Sequence, residues 1–279
     1  MIFTVAILAL NEEAMIARAI ASCSFADEIL VVDGGSTDAT VETAQRAGAR
    51  VVVRPFDDFA RQRNFCLEQA AGEWVLFVDA DERATPELAA EVRALLDGVP
   101  SDDAYAVPRQ AIVLGHRLGW QPFGRPDAPV RLLRRGSCRW SGVVHEAVEG
   151  ASSYGALQSH LLHLTHRTVS EVVRKIDAYT EIEAESLVAT GARVANRRRL
   201  LASFPREAWQ LWRSGLRREG MAGAVEAVLL AFNRTLVLAK VWEKTNRDAI
   251  DQAYARAEEE AYQPGEAARA HRSRDLPLR

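Results

Sequence analysis

Cysteine is scarce. Cys23, Cys66 and Cys138 are the only three among 279 residues, odd in number, far apart and free of any C-x-x-C pairing. That count excludes a disulfide framework and a cysteine-rich zinc site, and it suits a reducing compartment. A basic leader with a small-residue cleavage site is also missing: Met1-Ile2-Phe3-Thr4-Val5 enters an apolar run directly, so export is not expected. No long stretch is free of charge. The most apolar one, Ala222 to Val241, is broken by Glu226, Asn233, Arg234 and Lys240. A spanning helix needs roughly 20 mostly uncharged apolar residues, so no transmembrane span is expected. There is no internal repeat.

What is present belongs to a globular protein. Hydrophobic residues make up 48% and charged residues 26%, which allows a substantial core and excludes collagen, coiled coil and mucin. The length favours one large α/β domain with an appendage, or two domains. Charge is uneven. Between Arg193 and Arg247 there are 12 Lys and Arg against 4 Asp and Glu, a local balance of +8 in a chain of formal net charge −3. An acidic front and a basic rear suggest different partners for the two ends.

Over the first hundred residues, continuous apolar runs alternate with helical patterns. Ile2 to Leu10, Glu28 to Asp33, Arg50 to Arg54 and Glu73 to Val78 read as strands; Ala39 to Ala47, Asp57 to Ala71 and Pro86 to Leu96 read as helices. This texture indicates a parallel sheet covered on both faces, with ligands collecting beyond the carboxyl ends of its strands. From Asp103 to about His166 the pattern turns to short β-like pieces, Tyr105 to Pro108, Ala111 to Leu114, Val130 to Leu133 and Gly142 to Val144, suggesting an antiparallel extension. A charged helix from Ser170 to Thr190 and an amphipathic pair between Arg197 and Thr245 follow. The expected organisation is a main α/β domain over residues 1–168, with a change of texture at about residue 100, a helical region over 169–262 and a frayed tail over 263–279.

The sharpest chemical feature is Asp79-Ala80-Asp81, two carboxylates one residue apart at the end of a buried strand, able to reach a hard divalent cation and a ribose hydroxyl together. An isolated D-x-D is as readily a solvated turn or a helix N-cap. Here Asp33 and Asp38 emerge at the end of another apolar strand, so the acids recur where sheet ligands collect.

The segments Leu8-Ala9-Leu10-Asn11-Glu12-Glu13, Val31-Val32-Asp33-Gly34-Gly35-Ser36-Thr37-Asp38-Ala39-Thr40, Arg61-Gln62-Arg63-Asn64 and Trp74-Val75-Leu76-Phe77-Val78-Asp79-Ala80-Asp81-Glu82 resemble, in order and spacing, the family 2 glycosyltransferases. Further on, Gly119-Trp120, Pro126-Asp127, Arg131-Leu132-Leu133-Arg134-Arg135 and Val144-His145-Glu146 are similar to the subgroup containing bacterial lipopolysaccharide core glucosyltransferases. The resemblance implies a GT-A fold, a Rossmann-like mixed α/β sheet, here with a C-terminal helical appendage. It also implies that Leu10, Asn11, Glu12, Asp33, Gly35, Ser36 and Asp38 hold the base and ribose of a nucleotide-sugar donor, with Arg63 near the base or the phosphates. Asp79 would take the ribose, beside Ala80, and Asp81 a Mg²⁺ or Mn²⁺, with Asp79 and His163 as further candidate ligands. Such a metal neutralises charge on the leaving nucleotide. The family often has Pro-x-Tyr-Asn at its first site where this chain has Leu8-Ala9-Leu10-Asn11.

An inverting transfer needs a carboxylate or imidazole to deprotonate the acceptor hydroxyl. Asp127, His145 and Glu146 are the candidates, and Glu146 is preferred on the resemblance. Asp127 follows a proline and could equally be a turn residue. Arg131 could meet the donor's diphosphate or an anionic acceptor, or belong to a solvated edge strand. His160, His163 and His166 do not form an obvious three-ligand site on either a strand or a helix.

The basic rear carries Trp209, Trp212 and Trp242 among Arg198, Arg199, Arg206, Arg213, Arg217 and Arg218. Such helices either lie against an anionic membrane surface or pack on the catalytic domain with a solvated basic face. Nucleic acid is not an expected partner, for no groove-reading motif accompanies the charge. These readings lead to an expected cytoplasmic transferase, peripheral on the inner face of the cytoplasmic membrane. Its donor would be a UDP-hexose, its acceptor a lipopolysaccharide-type or other glycolipid. A polyprenyl-phosphate transferase and a non-catalytic nucleotide-sugar-binding module are the rival readings.

Overall fold

A computed structural model describes residues 2–119, 127–142, 146–194 and 196–262. His145, Trp120 and Pro126 of the motifs above, most of the strand expected at Gly142 to Val144, and the tail 263–279 lie outside the described residues. In the front half β1 (Phe3–Ala9), β2 (Glu28–Asp33), β3 (Arg50–Val53) and β4 (Trp74–Asp79) alternate with α1 (Ile16–Ser22), α2 (Thr40–Arg46) and α3 (Phe59–Gln69). β5 (Glu82–Ala84) and α4 (Pro86–Asp97) follow, then β6 (Ala104–Ala106), β7 (Arg109–Val113), β8 (His116–Arg117) and β9 (Val130–Arg134). The strands end with β10 (Arg139–Ser141), β11 (Ala147–Glu149), β12 (Tyr154–Ala156) and β13 (Leu161–His163).

Seven strands form one sheet in the order β12-β6-β9-β4-β1-β2-β3. β1 to β4 run parallel, while β9 pairs antiparallel with both β4 and β6. The extension is therefore mixed and not purely antiparallel, since β12 joins β6, and β13 joins β7, in parallel. Alternate side chains of the continuous apolar runs split between two cores. Phe3, Val5, Ile7 and Leu76 meet α1 and α4 on one face, whereas Ala6, Leu30, Val32 and Phe77 meet α3 and Trp140 on the other. Both faces of the sheet are thus covered, which is why these strands carry no polar alternation.

Helix starts agree with local chemistry. Asp58 caps α3 by accepting the Arg61 N–H at 2.7 Å, and Thr85 caps α4 ahead of Pro86. At Gly72 a Cβ would come within 2.7 Å of the Thr4 backbone nitrogen, so only glycine lets the chain re-enter the sheet there.

The rear half is α5 (Val169–Ala189), α6 (Arg197–Ser214), α7 (Gly220–Thr245) and α8 (Arg247–Tyr262), with a 3-10 turn at Leu216–Arg218 before α7. α7 is the one helix among the described residues long and apolar enough, by length and composition, to cross a membrane, a property the sequence reading denied it. It packs instead on both neighbours. Leu229 meets Val172 and Ile176 of α5, while Ala227 and Ala231 join Leu211 and Leu216 and, through Val113 and Leu118, the strands beyond β6.

Candidate active site

The carboxyl ends of β1, β2 and β4 deliver three polar turns to one edge of the sheet. Asn11 adopts a left-handed φ of 55°, and its side chain accepts the Thr37 N–H at 2.8 Å while its own N–H donates to Ser36 Oγ at 2.8 Å. The end of β1 is thereby tied to the turn after β2. Gly35, with φ of 98°, supplies the backbone conformation that this turn needs. Asp33 is fully buried and closes the same turn, accepting the Gly35 and Ser36 N–H groups at 2.9 and 2.8 Å and the Ser36 hydroxyl. Its oxygens are engaged within the turn. Asp38 accepts from Thr40 and from the Glu13 N–H.

A cavity of about 440 Å³ lies beyond these turns, lined by Leu10, Asn11, Glu12, Asp38, Asp81 and Lys175 among others. Burial pushes the Glu12 carboxyl above its usual range, and the nearby Lys175 ammonium only partly offsets this.

Asp79 ends β4 while Asp81 lies in the turn before β5, so the strand alternation that would put residues i and i+2 on one face no longer holds and the two acids have different neighbours. The Asp79 carboxylate accepts from Arg131 at 2.6 Å and from Arg63 at 3.2 Å. Burial opposes its ionisation, yet the two guanidiniums outweigh this and hold the carboxyl well below the carboxylate range. Asp81 stands 3.5 Å from His163 Nε2 and 3.3 Å from Lys175 Nζ. Burial again opposes its charge, and His163 and Lys175 again lower its pKa.

Arg63 connects the D-x-D motif to Glu146. Its guanidinium lies 4.9 Å from the Trp140 ring centre, bonds Asp79, and donates from Nε to Glu146 at 3.3 Å. Among the described residues, Arg63 Nη1 and Trp140 Nε1 are buried donors with no hydrogen-bond partner. Asn64 fixes this junction by exchanging two hydrogen bonds with the Trp140 backbone, at 2.9 and 2.8 Å.

The profile of glycosyl transferase family 2 matches residues 4–137. The lipopolysaccharide core biosynthesis glycosyltransferase LpsC of Rhizobium meliloti (strain 1021) is 33% identical over 251 residues, covering 85% of this chain and 91% of LpsC. The chain belongs to glycosyl transferase family 2. Its mixed sheet with the polar turns at one edge is the GT-A fold of that family. Among solved structures, Staphylococcus aureus TarS (residues 1–349) aligns with a TM-score of 0.48 at 17% identity, over 89% of this chain and 92% of that one. Glucosyl-3-phosphoglycerate synthase of Mycobacterium tuberculosis, in complex with Mn²⁺, UDP and glucosyl-3-phosphoglycerate, aligns with a TM-score of 0.44 at 20% identity, over 70% and 81%.

Several candidate side chains of this family 2 member are engaged by other side chains of the protein. Arg131 is not on a solvated edge: β9 lies inside the sheet between β4 and β6, and the residue is 3% exposed, held by Asp79 and by Glu82 at 3.1 Å. Arg63 is likewise committed to Asp79 and Glu146. Asp79 is paired with both of these arginines, and among the described residues no three His, Cys, Asp or Glu side chains converge as a metal site. Asp81 and His163 do meet. His160 contributes its carbonyl to Thr85, whereas His166 Nδ1 stands 2.7 Å from Glu226 of α7. Asp127 is paired with Arg109 at 2.8 Å.

Glu82, Lys175 and Tyr179 escaped the sequence reading. Glu82 has no exposure, accepts from Arg109 and Arg131, and receives the Asp79 N–H at 2.9 Å. Its position beside the D-x-D was a usable signal. Lys175 and Tyr179 come from α5, which lies over the site: the Tyr179 ring stacks on Phe59, 5.9 Å between centres with the planes 2° apart. Burial, followed by Asp79, pushes the Tyr179 hydroxyl pKa up. Nothing in the charged pattern of α5 marks that its one lysine, Lys175, will pair with an acid of the D-x-D motif.

Proposed function

We propose that this chain is an inverting hexosyltransferase that moves a hexose, glucose foremost, from a UDP-sugar to a lipopolysaccharide core or similar cell-envelope glycolipid. The observation that carries the reading is the meeting of Asp79 and Glu146 on Arg63, with Asp79 two residues in sequence from the Asp81 that lines the cavity with Glu12 and Asp38. Family membership supports sugar transfer, and the likeness to LpsC supports the acceptor class.

In this reading Asp79, kept ionised by Arg131 and Arg63, accepts hydrogen bonds from the ribose. Asp81 and His163, a carboxylate and an imidazole 3.5 Å apart, would hold a divalent ion such as Mg²⁺ or Mn²⁺. Bound there, such an ion would supply positive charge against the departing UDP. Lys175 adds a further positive charge on the same side. Glu146 takes the proton of the acceptor hydroxyl as that oxygen attacks the anomeric carbon from the face opposite UDP. Arg63 holds the Glu146 carboxylate in place, whereas Asp127 is already engaged in two N–H bonds from Arg109. The exposed Trp209, Trp212 and Trp242, with the arginines of α6 and the turn before α7, support peripheral attachment to the inner face of the cytoplasmic membrane.

The test is transfer itself. Purified protein, Mn²⁺ and a panel of labelled UDP-hexoses are incubated with lipopolysaccharide lacking its outer core sugars. Label entering the glycolipid with inverted anomeric configuration is the expected result. Retention of configuration, or no transfer from any UDP-hexose, would sink the proposal.

A further inference from the structure

A second cavity, of about 730 Å³, adjoins the nucleotide-side one. His166 lines both, and His163, which lines the larger, touches Asp81, which lines the smaller. Its volume falls within the roughly 300–1,000 Å³ usual for small-molecule sites. One wall carries Arg109 and Asp127; the other belongs to the rear helices, with Glu207, Gln210 and Leu211 from α6 and Leu230 from α7.

The chemistry of this lining favours a saccharide over an anion. Two ion pairs line it, Arg109 with Asp127 at 2.8 Å and Arg234 with Glu207 at 3.0 Å, and His166 Nδ1 lies 2.7 Å from the Glu226 carboxylate. Hydrogen-bonding groups of both kinds are thus held in place, with each of the two arginines already matched by a carboxylate. Leu118, Leu211 and Leu230 add apolar surface against which the C–H face of a pyranose ring can lie. On α6 the lining positions Glu207, Gln210, Leu211 and Ser214 follow the i, i+3, i+4, i+7 spacing of one helical face. Trp209, 60% exposed, and Arg213 fall on the opposite face. One helix therefore offers a sugar-binding wall inward and an aromatic, basic face outward.

We infer that this cavity receives the saccharide of the acceptor, and that α6 and α7, outside the segment matched by the family profile, form half of that site. The inference rests on the transferase reading above. It assigns acceptor choice to Glu207, Gln210 and Leu230 and donor binding to the neighbouring cavity.

The experiment uses the full chain and a soluble probe, the deacylated core oligosaccharide of lipopolysaccharide, so that membrane binding plays no part. Gln210→Trp fills the cavity from its exposed side. It is expected to raise KM for the oligosaccharide by about tenfold or more while KM for the UDP-sugar moves by less than about twofold, with Gln210→Ala between. Amide hydrogen exchange of the unsubstituted protein supplies the second measurement: the oligosaccharide should slow exchange in residues 207–214 and 226–234. If the unsubstituted protein transfers sugar but Gln210→Trp melts normally with an unmoved acceptor KM, the cavity assignment falls and the transferase reading stands. Protection confined to other segments also overturns it, whether or not the Trp variant folds. If the unsubstituted protein neither modifies nor is protected by the oligosaccharide, both fall.

Discussion

The Arg131 guanidinium of β9 lies 2.6 Å from the Asp79 carboxylate of β4, across an antiparallel seam that registers Leu132 against Leu76. Arg131 is 4% exposed at its side chain and Glu82, its other partner, not at all. Removing one member of such a group leaves charge buried without compensation. Arg131→Leu should therefore cost about 3–5 kcal/mol at pH 7, read from urea midpoints. The dependence on pH has a definite sign. Because the folded pKa of Asp79 is depressed below its ordinary value of about 3.9, pairing contributes stability that is full above that pH and is lost as pH falls through the folded value. The penalty of Arg131→Leu should hold from pH 7 to about 5 and shrink below about pH 4. A penalty independent of pH would mean that lost packing, not lost charge pairing, is responsible.

Asp81 should govern the response to metal. A UDP-sugar that binds only the folded protein raises its melting temperature, and this rise should require Mn²⁺ or Mg²⁺. Asp81→Ala should abolish the metal dependence, since His163 alone cannot hold the ion against water. Equal stabilisation with and without metal in the unsubstituted protein would remove Asp81 from that role.

Glu146→Gln keeps the shape and the Arg63 contact but cannot accept a proton. Turnover should fall by roughly two to four orders of magnitude, the usual worth of a positioned general base, with nucleotide-sugar binding retained. Near-normal turnover would transfer the role to Asp127 or to His145.

Arg198, Arg199, Arg213, Arg217 and Arg218 are all exposed. Against an anionic bilayer each should add on the order of 1 kcal/mol of attraction that fades within a Debye length. Replacing all five by Gln should weaken binding to anionic vesicles and transfer to a lipid acceptor, and binding by the unsubstituted protein should fall steeply with salt. Equal binding to neutral vesicles would show that the basic face is merely solvated.

The strands were legible because burial on both faces leaves an unbroken apolar run, and Trp74 to Val78 ending in Asp79 can be read without knowing any partner. The turn after β2 was legible for a related reason: Asp33 accepts the Gly35 and Ser36 N–H groups two and three residues on, whereas the turn's tie to Asn11, 25 residues from Ser36, needs two parallel strands side by side. The acids of the D-x-D motif could thus be assigned to a sheet edge from local pattern alone. Their electrostatic state could not. Arg131 reaches Asp79 across 52 residues, Lys175 reaches Asp81 across 94, and Glu226 reaches His166 across 60. An arginine in a strand or a lysine in a helix has the same local signature whether its head meets water or a carboxylate. Desolvation and pairing depend on which elements pack together, and that is a property of the folded chain. For the same reason Glu226 reads as an interruption of an apolar helix in the sequence, but becomes a buried partner of His166 once α7 is laid against the end of the last strand.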